Sequence, residues 1–89
     1  MAKELIFTQT FKKNYSRLPR DIQKRFDKQL ELFQDNPAHP SLKIHRYKSV
    51  TNVWEGYVSD KYRFTFSSIE NGTVFRNIGS HEIIDRGKV

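Results

Sequence analysis

The chain has 89 residues, 36% of them hydrophobic, which is enough for one modest core and too few for two independent domains. Sixteen Lys and Arg against ten Asp and Glu leave a formal charge of +6, a balance that favours a polyanionic partner such as RNA, DNA or an acidic protein. The lack of cysteine excludes disulfides, thiolate zinc sites and cysteine nucleophiles and suits a reducing compartment. The opening MAKELIFTQTFKK holds only a short apolar run broken by Glu4 and Thr8, well short of a signal sequence or a membrane span, so a cytoplasmic protein with no membrane partner is expected.

In chain order, Leu5-Ile6-Phe7 is a short β-favouring run, and Thr8 or Thr10 offers an oxygen to cap a helix directly after it. Phe7, Phe11, Tyr15 and Leu18 recur at helical spacing, while Lys12, Lys13 and Arg17 project elsewhere. Pro19 opens a second helix, in which Ile22, Phe26, Leu30 and Phe33 form a stripe and which Asn36-Pro37 closes. Its Arg20, Lys24, Arg25 and Lys28, with Lys12 and Lys13 of the first helix, read as a solvated face or as phosphate-binding cations. The segment AHPSLKIHRYKSVTN has no clean period and reads as a loop, with Lys43, His45, Arg46 and Lys48 as its charged residues.

The period then changes. Trp54 to Val58 reads as a strand, and Tyr62, Phe64 and Phe66 alternate with Arg63, Thr65 and Ser67, the pattern of a strand with one buried face. Asn71-Gly72 is a hairpin signal leading into Thr73 to Ile78. The predicted architecture is a single α+β domain over residues 1–89: a short N-terminal strand, two helices on one face, and a three-strand meander in an antiparallel sheet.

If the Tyr62, Phe64 and Phe66 face is buried, Arg63 lies on the opposite face, and a tight hairpin would bring His81 of GSHEIID beside it. A histidine, an arginine and a carboxylate are the set that RNA cleavage without a metal requires: a base for the 2′-hydroxyl, a cation for the developing phosphorane charge and an acid for the leaving 5′-oxygen. His39, His45 and His81 match no metal-binding motif, and no phosphate-cradling glycine loop or nucleophile elbow is present, so no cofactor or metal is expected. His39, in the AHPS turn, reads as part of the turn.

The segments LIFTQTFKKNYSRLP, HPSLKIHRYKSVTNVWEGYV, KYRFTFSSIENGTVFRNIG and GSHEIID together resemble the RelE/ParE superfamily of toxins from type II toxin–antitoxin systems, and the resemblance covers nearly the whole chain. It implies a compact fold related to microbial ribonucleases. It also implies one of two activities: cleavage of mRNA in the ribosomal A site without a metal, as in RelE-like members, or inhibition of DNA gyrase, as in ParE-like members. A third possibility is a degenerate member that only pairs with an antitoxin and helps regulate transcription.

By this resemblance Arg63 in KYRFTF is the arginine that stabilises the transition state, while His45 in LKIHRYKS and His81 match two histidines of the YafQ-like branch, both acid or base candidates. Tyr47 and Ser49 depart from that branch's H-x-L-x-G element, and Asp85 replaces its aromatic residue, so that Asp85 is free to orient His81 or act as a base. Glu55 lies where some relatives keep a catalytic lysine or acid. Lys43, Arg46, Lys48 and Arg76 are the expected RNA-binding cations. The implied partners are a small acidic antitoxin, the ribosome with its mRNA, and operator DNA reached only through the antitoxin.

Overall fold

The computed structural model describes residues 3–89. Strand β1 (Glu4–Phe7) leads directly into helix α1 (Gln9–Ser16), then α2 (Arg20–Asp35), a short 3-10 turn (Pro40–Leu42), strands β2 (His45–Arg46), β3 (Trp54–Tyr57), β4 (Tyr62–Ile69) and β5 (Gly72–Ser80), and a short helix α3 (His81–Asp85). Of the two candidate caps of α1 it is Thr8 that serves: its hydroxyl accepts from the Phe11 amide at 3.0 Å and donates to the Arg76 carbonyl at 2.7 Å, fixing the helix start to β5. Pro19 stands just before α2, where its missing N–H costs nothing.

The strands form one sheet in the order β1-β5-β4-β3-β2. The fold is α+β as expected, but the sheet is mixed rather than antiparallel throughout, because β1 runs parallel to β5. No turn joins these two strands; the whole chain intervenes, so nothing holds β1 to the antiparallel sense, and it fills the edge that the β4–β5 hairpin leaves open. The loop segment also holds structure that its sequence did not announce, namely the 3-10 turn and the two-residue strand β2.

The hairpin turn falls one residue earlier than Asn71-Gly72. Ile69 pairs with Gly72, leaving Glu70 and Asn71 as the two turn residues, and neither has a positive φ. Gly72 is needed for a different reason. A Cβ there would overlap the carbonyl oxygen of Glu4, so the glycine is what allows β1 to approach β5.

All seven phenylalanines lie in the core or pack against it. Phe75 is fully buried at its centre, with the rings of Phe7 and Phe33 at 5.0 and 5.5 Å. Helices α1 and α2 supply Phe11, Ile22, Phe26 and Phe33 to this side, and β4 supplies Phe64 and Phe66. Arg63, one residue off that alternation, therefore projects from the other face.

Candidate active site

On that other face β2, β3 and β4 line up their charged residues by register. His45 pairs with Glu55, Glu55 with Thr65, and Tyr57 with Arg63. Glu55 is buried, and its carboxylate is flanked by His45 Nε2 at 3.7 Å and Arg63 Nε at 3.8 Å. The other ring nitrogen of His45 lies 3.0 Å from the Lys43 carbonyl, which selects the tautomer with the proton on Nδ1 and turns Nε2 toward Glu55. A buried carboxylate between a histidine and an arginine is both charge-compensated and positioned to accept a proton. Beside it in the sheet, the buried hydroxyl of Thr65 has no hydrogen-bond partner among the described residues.

Arg63 is held at one end. Its Nη1 donates to the carbonyls of Ser59 and, at 2.9 Å, Tyr62 in the β3–β4 turn, and its Nε faces Glu55. Among the described residues the second terminal nitrogen has no hydrogen-bond partner, which leaves two N–H groups in a fork whose geometry matches a phosphate.

His81 is the first residue of α3, capped by Ser80, and its backbone N–H donates to the Lys61 carbonyl at 2.7 Å. Its ring Nδ1 is 3.4 Å from Asp85, one helical turn on. Arg63 has Gly79 as its cross-strand neighbour, two residues before His81, so the hairpin brings the histidine near the end of the row without placing it directly opposite Arg63. Tyr47 supplies the link between the two groups. Its hydroxyl donates to the Ile84 carbonyl at 2.6 Å, tying the segment after His45 to the helix that carries His81 and Asp85.

The remaining cations divide. Lys43 Nζ stands 4.4 Å from the Tyr57 ring centroid, Arg46 lies 5.7 Å from the Trp54 ring, and Lys48 is exposed in the following turn. Arg76 directs its guanidinium to the Ser67 hydroxyl at 3.2 Å and the Val89 carbonyl at 3.3 Å, so in this structure it fastens the C-terminal tail to the sheet. Within the Trp54 to Val58 strand, Tyr57 carries no functional expectation from sequence. It is half-buried on the polar face, and its odd-numbered position alongside Glu55 was the signal that placed it there.

No family model and no curated protein matches the sequence. Solved structures do match. The fold is similar to a chain of the E. coli DinJ–YafQ toxin–antitoxin complex, with a TM-score of 0.79 at 11% identity over 94% of this chain and 98% of that one. A chain of the RelB–RelE antitoxin–toxin complex of Methanococcus jannaschii gives 0.74 at 22% identity, covering 89% and 93%. The YoeB dimer of Staphylococcus aureus gives 0.75 at 14% identity, covering 91% and 99%. The chain has the fold of the RelE, YafQ and YoeB toxins.

Proposed function

We propose that the protein is the toxin of a type II toxin–antitoxin system and cleaves mRNA on translating ribosomes by metal-independent transesterification. The observation that carries this is the buried Glu55 set between His45 and Arg63 on the open face of the sheet, with the His81–Asp85 pair tied to the same region through Tyr47. Glu55 takes the proton from the 2′-hydroxyl and shares it with the bare Nε2 of His45. The 2′-oxygen attacks phosphorus, and the charge gathered on the phosphoryl oxygens is met by the free edge of Arg63. The bond to the 5′-oxygen breaks as protonated His81, oriented by Asp85, donates to the leaving group, and a 2′,3′-cyclic phosphate remains. Lys43, Arg46 and Lys48 hold neighbouring phosphates.

The reading extends to partners. Two of the similar structures are complexes with antitoxins, and a chain of charge +6 suits an acidic protein that covers this face in the resting cell.

The test is single-turnover cleavage of an mRNA bound to purified ribosomes. Glu55→Gln and Arg63→Ala are each expected to lower the rate about 100-fold or more, with folding retained by circular dichroism. No cleavage by the wild type would overturn the reading, and wild-type rates in both variants would overturn the assignment of the site to Glu55 and Arg63.

A further inference from the structure

Tyr57 takes no part in the proton transfers above, yet two of the site's cations meet on it. Arg63 Cζ stands 5.0 Å from the ring centroid and Lys43 Nζ 4.4 Å. Arg63 is the direct cross-strand partner of Tyr57, and extending the His45 to Glu55 register by two residues brings Lys43 to the other flank. The row therefore reads lysine, tyrosine, arginine. Two like charges this close to one side chain would repel in an apolar setting, whereas an aromatic face attracts each of them.

The surroundings fix this stack from three directions. The phenol donates to Asp60 at 2.9 Å, and that bond, ahead of burial, raises the Tyr57 pKa. The β3–β4 turn holds Arg63 Nη1 through the Ser59 and Tyr62 carbonyls. Lys43 sits at φ 48°, in the left-handed region that a residue with a side chain seldom adopts, where the 3-10 turn ends. One cation comes from β4 and the other from the segment before β2, so the ring is engaged by the protein's own side chains.

We propose that Tyr57 is a positioning residue: its ring holds the Arg63 guanidinium so that its free edge faces the reacting phosphate, and keeps Lys43 beside it, without touching RNA. The proposal rests on the nuclease reading for its effect on rate, but the arrangement itself is measurable without activity.

The experiment joins two readouts on wild type, Tyr57→Phe and Tyr57→Leu, with Tyr57→Thr as a second non-aromatic variant suited to a strand. One is the NMR resonance of the Arg63 Nε–H group, which a ring beneath it displaces. The other is the single-turnover cleavage rate, measured with Arg63 intact and in an Arg63→Ala background. Wild type and Tyr57→Phe are expected to share the displaced resonance and to cleave within about threefold of each other. The non-aromatic variants should lose the displacement and at least about tenfold in rate, with no further loss once Arg63 is absent. An Arg63 resonance that ignores the loss of the ring overturns the proposal whatever the rates. So does an equal loss of rate in the Arg63→Ala background, which would mean that Tyr57 acts independently. Absence of cleavage by the wild type would instead remove the nuclease reading, and wild-type cleavage by Arg63→Ala would remove the role of Arg63 in it; in either case the resonance decides whether the ring holds the guanidinium.

Discussion

Tyr15 donates its phenolic hydrogen to Asp27 at 2.7 Å, joining α1 to α2, and its pKa is pushed up to about 12, first by burial and then by that carboxylate. A tyrosine whose folded pKa exceeds the ordinary value of 10 binds its proton more tightly in the native state. Its contribution to stability is thus complete below pH 10 and lost as the pH rises through about 12. The denaturation midpoint should fall across that window, and fall less in Tyr15→Phe; equal slopes for both proteins would show that other groups govern alkaline unfolding. At the same scale, the face occupied by Arg63 was legible from the period of two in β4, because Phe64 and Phe66 claim the core. The pairing of His45 with Glu55 was not legible, since it depends on a strand of two residues with no periodic signature of its own. Tyr57 was missed for a related reason: only its register with Arg63 and Lys43 reveals what its ring holds.

Among the elements, α1, α2, β3, β4 and β5 follow from spacing that a helix or strand alone satisfies, and each lies close to its expected bounds. The short elements behave otherwise. The partner and direction of β1, four residues long, are set by the free edge of β5 and by the room that Gly72 leaves at Glu4. Asn71-Gly72 marked a hairpin correctly, but the glycine serves strand approach and the turn lies a residue earlier. Gly72→Ala should therefore push β1 away from β5 and cost roughly 2 to 4 kcal/mol, well above the change expected from glycine's backbone freedom alone. Urea unfolding measures this directly. A variant as stable as wild type would mean that β1 tolerates displacement and that the close approach is not what selects glycine.

For the whole molecule, one sheet separates two tasks. One face is filled by phenylalanine rings from both helices and from β4 and β5, and this leaves the other free to carry polar and charged groups. Along that face the strands set Glu55 between His45 and Arg63, and α3 delivers His81 with Asp85 at its border. Lys12, Lys13, Arg20, Lys24, Arg25 and Lys28 are all exposed on the helices, where they add to a field that attracts polyanions. The central claim is that these groups cut translated mRNA. Its most direct test is brief expression in growing cells of the wild type and of an Arg63→Ala, His81→Ala double variant, with new 5′ ends mapped on a translated mRNA and on the same mRNA lacking its start codon. The account predicts cuts with the wild type only, and on the translated message only. Growth arrest without new 5′ ends, or cuts that persist in the double variant, would contradict it.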